Sequence, residues 1–443
     1  MKKIFIIFIA VFTLTVCNHG DGGNKEDNNN DSDIGTVSYT PSSCSTQGQN
    51  EFVYKVMTDT YLWYDKVADT DYTGYDSPEE LLYDMRHDEL DRWSYLISKE
   101  EYHTLFEEGK FIGLGYGSKY DNNDDLRIRF VYKDSPVDLA GLKRGDKILE
   151  INGMPVEEIE NNNLWNTIHG KDDPGVKVHF KIEDSENIVR ELQLEKDWVT
   201  INTVLHHEIK EIEGLKIGYL AFLKFLETSQ EELYRVFAYF NQENIDELIL
   251  DLRYNTGGRT SIARYLAGLI AGDKADGKIF NKYIHNDNHS SWNWSTSFTK
   301  PANALNLDRV TVITSEKTCS ASELIVNSLE PFIDVILIGG TTCGKPVGMY
   351  GHDFCDKHIS PIEFKSFNAY DEGDFFDGMP ADCFAADDLT RELGDTQESS
   401  LNQALYFIFN DSCFAEEPER RRHDAGKDKN IYLHGFRGEI DAF

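Results

Sequence analysis

Two serines and a lysine carry the clearest chemical potential in this sequence. Ser320 and Ser322 lie in Thr318-Cys319-Ser320-Ala321-Ser322-Glu323, and Lys345 closes Gly340-Thr341-Thr342-Cys343-Gly344-Lys345. A serine hydroxyl is a weak nucleophile until a base takes its proton. Lysine can be that base only when neutral, and from a reference pKa of about 10.4 burial lowers it by as much as roughly 3–5 units. The amine would therefore need a dry pocket, and Cys343, Pro346, Val347 and Met349 are its apolar neighbours in sequence. Taken alone, either serine could serve, and plainer readings stand beside both segments. Ser-Ala-Ser-Glu is a good helix start anywhere, and a lysine flanked by glycine suits a surface turn. The third feature is Gly257-Gly258, just after an apolar run. A turn without side chains lets backbone N–H groups approach a substrate closely.

The elements around these segments follow from periodicity. Leu215–Leu220, Glu247–Leu252, Val310–Ile313 and Val335–Ile338 read as strands, the later ones continuous enough to be buried on both faces. Gln230–Phe240, Ile262–Ile270 and Ala321–Leu329 read as helices between them. Strand and helix in alternation imply a mostly parallel sheet covered by helices, an α/β core. Ser320 then falls between a strand and a helix, at the helix's positive end. Upstream, Phe52, Val53, Val56, Met57, Tyr61 and Leu62 recur at helical steps, and Ser77-Pro78-Glu79-Glu80 is a capped helix start. From about Phe111 to Leu194 the texture changes to short strands with Gly-rich turns, such as Leu126–Val131 behind the turn Asp121–Asp125.

In that middle part, Ser135-Pro136-Val137-Asp138-Leu139-Ala140-Gly141-Leu142 and Gly145-Asp146-Lys147-Ile148-Leu149-Glu150-Ile151-Asn152-Gly153 closely resemble the PDZ signature. By that resemblance Gly113-Leu114-Gly115-Tyr116 is the carboxylate-binding loop, gripping a peptide C-terminus with backbone N–H groups. A dinucleotide-binding glycine loop is a poor fit, because a strand and hairpin follow the glycines where a helix is required. The segment Leu248–Gly258, the Ser320 segment and the Lys345 segment together resemble the carboxyl-terminal processing peptidases, or tail-specific proteases, over most of the chain. The resemblance implies Ser320 as nucleophile, Lys345 as general base at the family's spacing, and the backbone of Gly257 and Ala321 as oxyanion hole. It implies a ClpP/crotonase-like catalytic core with an inserted PDZ domain and a small N-terminal helical cap. It implies no metal or cofactor, and substrates that are proteins or peptides with free C-terminal tails. Thr256 and Tyr254 replace a common proline and asparagine of the family. Met349 stands where many relatives carry a glutamine, the departure behind an alternative: a dormant core in a PDZ-type peptide-binding lipoprotein. An acyl-CoA enzyme of crotonase type would share the core fold and have no use for the rest.

Residues 1–17 read as a lipoprotein-type signal: Met1-Lys2-Lys3, an apolar run too short to span a bilayer, and Cys17 as the lipidated residue. The Val16 before it is bulkier than usual at such sites. Residues 18–48 form a polar tether, 49–106 the cap, 107–197 the PDZ domain, 198–412 the peptidase core and 413–443 a polar, solvated tail. The expected location is the bacterial cell envelope, lipid-anchored and facing the periplasm or cell surface. Across 443 residues, 44 Lys+Arg against 78 Asp+Glu give a net charge of −34, which disfavours nucleic acid as a partner. Hydrophobic residues at 40% suffice for true cores. Cys44, Cys319, Cys343, Cys355, Cys383 and Cys413 permit disulfides whose pairing their spacing does not choose. His352, Cys355 and His358, and His285, Asp287 and His289, have metal-like spacing but read better as polar loop residues.

Overall fold

The computed structural model describes residues 35, 37, 39–414 and 443. The signal segment with Cys17, most of the tether and Arg420–Arg422 lie outside the described residues. No helix among the described residues is long and apolar enough to cross a membrane.

The N-terminal part comprises α1 (Thr46–Asp59), α2 (Pro78–Met85), β1 (Tyr95–Ser98) and α3 (Lys99–Phe106). The Ser45 hydroxyl caps α1, so the helix begins inside the stretch expected to be tether. The cap is also not wholly helical. β1, too short to show a period, pairs antiparallel with a core strand, β19 (Lys357–Ser360). The Cys44–Cys355 disulfide adds a covalent tie between cap and core. Phe52, Val56, Tyr61 and Leu81 share one apolar cluster with Val347, Phe354 and Ile362 of the core.

The PDZ part enters and leaves through a two-stranded stalk, β2 (Lys110–Gly113) against β9 (Asp197–Thr200). Between them lie β3 (Tyr116–Tyr120), β4 (Leu126–Val131), α4 (Pro136–Leu139), β5 (Lys147–Ile151), β6 (Met154–Pro155), α5 (Val156–Asn161), β7 (Lys177–Glu183) and β8 (Val189–Glu195). The strands run in the order β3-β4-β5-β7-β8, with β6 paired to β5.

The core is built from β10 (Val204–Ile212), β11 (Leu215–Phe222), α6 (Ser229–Glu243), β12 (Glu247–Asp251), α7 (Thr260–Ala271), β13 (Ile279–His285), β14 (Trp294–Ser297), β15 (Arg309–Thr314), α8 (Ala321–Leu329) and β16 (Asp334–Gly339). It continues through β17 (Val347–Met349), β18 (His352–Phe354), β19, β20 (Ile362–Phe367), β21 (Cys383–Phe384) and α9 (Ser399–Asn410). Its main sheet has the order β10-β11-β12-β15-β16-β21, parallel except for β10. Alternation along the strands feeds two apolar layers. Leu248 and Leu250 face α6, α7 and α8, while Ile249 faces Leu401, Ala404 and Leu405 of α9. Full burial of each such side chain contributes about 1.5–3 kcal/mol, so both faces anchor the strand ends that carry the site.

The tail expected to be solvated is fixed at two points. Cys413 is bonded to Cys383, and Phe443 is buried in the PDZ part. Charge in the intervening sequence masked both.

Candidate active site

Gly257, Ser320 and Lys345 converge because of sheet order. Gly257 follows Asp251 at the end of β12, Ser320 follows Thr314 at the end of β15, and Lys345 follows Gly339 at the end of β16, each by six residues. Those three strands are adjacent and parallel, with β15 in the middle. Their carboxyl ends therefore deliver three loops to one crevice, the usual position of sites in open α/β sheets.

Ser320 sits on the strand-to-helix turn with φ 56° and ψ −113°, a conformation that L-residues rarely adopt. It is partly exposed. Ser322 is fully buried, and its hydroxyl donates to the Asn255 carbonyl at 2.9 Å. The structure thus separates the two serines: Ser320 is partly exposed, whereas Ser322 ties α8 to the β12 loop.

Glu323, read from sequence only as a capping residue, holds the loops together. Its Oε2 accepts the backbone N–H of both Ser320 (2.9 Å) and Lys345 (2.8 Å). Its Oε1 accepts from Gly344 N–H (2.7 Å) and the Thr342 hydroxyl (2.5 Å). Burial pushes this carboxyl's pKa up, while the four donors pull the other way. Beside it, Cys319 and Cys343 form a disulfide, so the residue before Ser320 is covalently joined to the Lys345 loop. The sulfur and carboxylate atoms of Cys319, Glu323 and Cys343 lie within 4.8 Å of one another, close enough to hold a metal ion, but the disulfide consumes both thiols.

The cap completes the Lys345 side. The lysine Nζ lies 5.7 Å from the centre of the Trp93 ring, and Arg92 donates to the Cys343 carbonyl at 3.3 Å. Met349, on β17, packs into the cap–core cluster. Ser320 and Lys345 are therefore framed here by Glu323, a disulfide and Trp93. The cap residues escaped sequence reasoning because their partners lie some 250 positions away.

Gly257 has φ +100°, and a Cβ there would meet the Cys319 carbonyl and Ser320 Cβ at 2.8 Å. Only glycine lets the β12 loop pack so closely on the serine. The Gly257 N–H donates to Asn255 Oδ1 at 2.9 Å, within its own turn. Asn255 is fully buried and also donates to the Phe222 carbonyl.

The PDZ part meets the core through Arg144. Its guanidinium pairs with Asp387 at 2.8 Å and donates to the Tyr254 hydroxyl at 2.5 Å. Asp387 also pairs with Arg253, which is held in turn by Asp251 and Glu398. At the loop Gly113-Leu114-Gly115-Tyr116, the N–H groups of Leu114, Gly115 and Tyr116 all point at the backbone oxygen of Phe443.

The histidine clusters are not metal cradles, and three of their members lie on strands rather than loops. Cys355 is bonded to Cys44, His352 hydrogen-bonds Glu363, and His358 hydrogen-bonds Asp353. His285 contacts Asn293 and Tyr350, and His289 pairs with Asp59. Those partners satisfy both ring nitrogens of the buried His285 and one each of the buried His352 and His358.

The model for peptidase family S41 matches residues 216–375, that for the peptidase S41 N-terminal domain residues 48–95, and the PDZ domain model residues 104–183. Carboxyl-terminal-processing peptidase 3, chloroplastic, of Arabidopsis thaliana is 23% identical over 273 residues, covering 58% of this chain and 50% of its own. Carboxy-terminal processing protease CtpA of Bacillus subtilis is 27% identical over 257 residues, covering 58% and 52%. The chain spans about half the length of these relatives. A crystal structure of an S41 protease from Bacteroides fragilis NCTC 9343 aligns over 82% of this chain and 97% of that one, with 25% identity and a TM-score of 0.64.

Proposed function

We propose that the chain, matched by the models of peptidase family S41 and its N-terminal domain, is a carboxyl-terminal processing peptidase that cleaves proteins or peptides through a Ser320–Lys345 dyad. The observation that carries this reading is the single Glu323 oxygen that binds the backbone N–H of both Ser320 and Lys345 at the ends of adjacent strands. It keeps the two loops in one register whatever their side chains do.

In the proposed reaction neutral Lys345 takes the Ser320 proton as the hydroxyl oxygen attacks the scissile carbonyl. The tetrahedral oxyanion is held by backbone N–H groups of Gly257 and Ala321, and the Gly257 amide gives up Asn255 Oδ1 to do so. The lysine ammonium then protonates the departing amine. Water, deprotonated by the same lysine, hydrolyses the acyl-enzyme and restores Ser320. Ser322 has no place in this sequence, because its hydroxyl is already committed inside the fold.

The test is cleavage of an unfolded protein such as casein by the chain and by Ser320→Ala, Ser322→Ala and Lys345→Ala. Loss confined to Ser320→Ala and Lys345→Ala supports the dyad. A second reading, a peptide-binding protein with an idle core, draws on the engaged Gly257 amide. An inert parent chain whose PDZ part still binds C-terminal peptides would select it. Export and anchoring through Cys17 are part of the same proposal and rest on the sequence of residues 1–17. Their check is incorporation of labelled palmitate in cells, expected for the parent and lost in Cys17→Ser.

A further inference from the structure

Lys224 is a buried lysine that the reaction proposed above does not use. It lies two residues past the end of β11, on a segment that bridges to the Gly257-Gly258 turn, and only 5% of it is exposed. Its Nζ donates to the Thr256 hydroxyl at 2.7 Å. The Thr256 carbonyl and the Gly257 N–H belong to one planar peptide, so whatever fixes Thr256 also fixes the direction of that N–H.

The lysine is itself held in place. Its carbonyl accepts the Ser229 hydroxyl at 2.9 Å, and the same hydroxyl oxygen accepts the Leu226 N–H at 2.9 Å, with Ser229 fully buried. The next residue, Phe225, grips the glycines through its backbone. Its N–H donates to the Gly257 carbonyl at 3.1 Å, and its carbonyl accepts the Arg259 N–H at 2.8 Å. The bridge between Phe225 and Gly258 is so close that a Cβ on Gly258 would collide with the Phe225 carbonyl oxygen. These backbone bonds hold the peptide that follows Gly257. The peptide before it, which carries the N–H aimed at the oxyanion, is restrained by Asn255 Oδ1 and, through Thr256, by Lys224.

In the proposed reaction the Gly257 N–H leaves Asn255 for the oxyanion, so one of those two restraints is given up just as the charge develops. We propose that Lys224 is a positioning residue for the oxyanion hole, holding the Thr256–Gly257 peptide through the Thr256 hydroxyl when its N–H turns to the substrate. The inference rests on the peptidase reading for the chemistry that this peptide serves. A backbone donor stabilises developing charge to the extent that it is preorganised, and a misplacement of about 1 Å costs on the order of 10²-fold in rate. Lys224 acts through Thr256 and Gly257, and its effect is on alignment.

The test compares casein cleavage by the parent chain, Lys224→Met, Thr256→Val, the double variant and Thr256→Ser. Methionine keeps most of the buried chain and valine the shape of threonine, so each removes one end of the hydrogen bond at nearly constant volume. Each single variant is expected to lose at least ~10-fold in kcat with KM within about twofold. The double variant should lose no more than the worse single, because both act through one bond. Thr256→Ser keeps the hydroxyl and should recover most of the rate that Thr256→Val loses. An unchanged kcat in Lys224→Met would overturn the assignment. So would a loss carried wholly by KM, or single losses that multiply in the double variant. Amide hydrogen exchange across residues 252–258 needs no catalysis: Lys224→Met and Thr256→Val should speed it at least ~5-fold, and Thr256→Ser should leave it near the parent's rate. A parent that cleaves nothing would overturn the peptidase reading. Equal exchange in parent and variants would overturn the hold of Lys224 on the turn, so the two failures are told apart.

Discussion

Glu323 accepts four hydrogen bonds from two loops that carry opposite halves of the proposed dyad, and both of its oxygens are used. Glu323→Gln keeps the volume and one acceptor but turns the other position into an NH₂ donor. That donor must face either the N–H pair of Ser320 and Lys345 or the Gly344–Thr342 pair. Each buried donor left without an acceptor costs about 1–3 kcal/mol. The substitution is therefore expected to lower Tm by several degrees and to cut kcat by on the order of 10²-fold, the penalty of a ~1 Å misplacement. Thermal melts and casein cleavage read the two effects separately. An unchanged kcat would mean that Glu323 serves the fold and not the dyad. Ser322→Ala makes the opposite prediction: about 1 kcal/mol of stability lost with its hydrogen bond to Asn255, and chemistry retained.

At the scale of elements, the site is the meeting of three strand ends, and the disulfide Cys319–Cys343 spans two of them. Closing a loop of this length is worth about 3 kcal/mol by the chain-entropy model. Cys319→Ser with Cys343→Ser should therefore lower Tm, and should also reduce kcat while leaving KM within about twofold, because dyad alignment and substrate binding are separate. Cys383→Ser with Cys413→Ser, on the edge strand β21 and on neither of the loops that carry Ser320 and Lys345, should lower Tm alone. Equal kcat losses in both pairs would argue for general softening of the fold. This level also shows what the sequence made legible. The strands Leu215–Phe222, Glu247–Asp251, Arg309–Thr314 and Asp334–Gly339 and the helix Ala321–Leu329 stood out because continuous apolar runs and helical periods are local signals. The PDZ loop stood out because its glycines and its Ser-Pro helix start are spaced by backbone geometry. The pairing of β1 with β19, the disulfide pairs and Trp93 beneath Lys345 depend on contacts between distant segments, and no local period encodes those. Phe443 was hidden for a further reason: one apolar residue ending a charged stretch has no pattern of its own.

Across the whole molecule, cap, PDZ part and core are joined by buried polar contacts as much as by apolar ones. Arg144 of the PDZ part is nearly fully buried against Asp387 and Tyr254, three residues before Gly257. Burial would raise the Asp387 carboxyl, but Arg144 and Arg253 beside it hold it far below the usual carboxylate range. A carboxyl depressed in the folded state contributes stability above its unfolded pKa of about 3.9, and that contribution is lost as pH falls toward the folded value. Removing one partner of a buried pair typically costs about 3–5 kcal/mol, although Arg253 remains to Asp387 and moderates the loss. Arg144→Met, which keeps much of the side chain's volume, is thus expected to lower Tm clearly at pH 7. The gap between variant and parent should hold while Asp387 is ionised in both, and narrow only once pH falls below the folded pKa of Asp387 in the variant, which loss of Arg144 raises while Arg253 still holds it down. Comparing variant with parent at each pH cancels most of the general effect of protonating a surface with a net charge of −34. A Tm at pH 7 no lower than the parent's would show that the buried pair of Arg144 with Asp387 adds nothing to the joint between the PDZ part and the core.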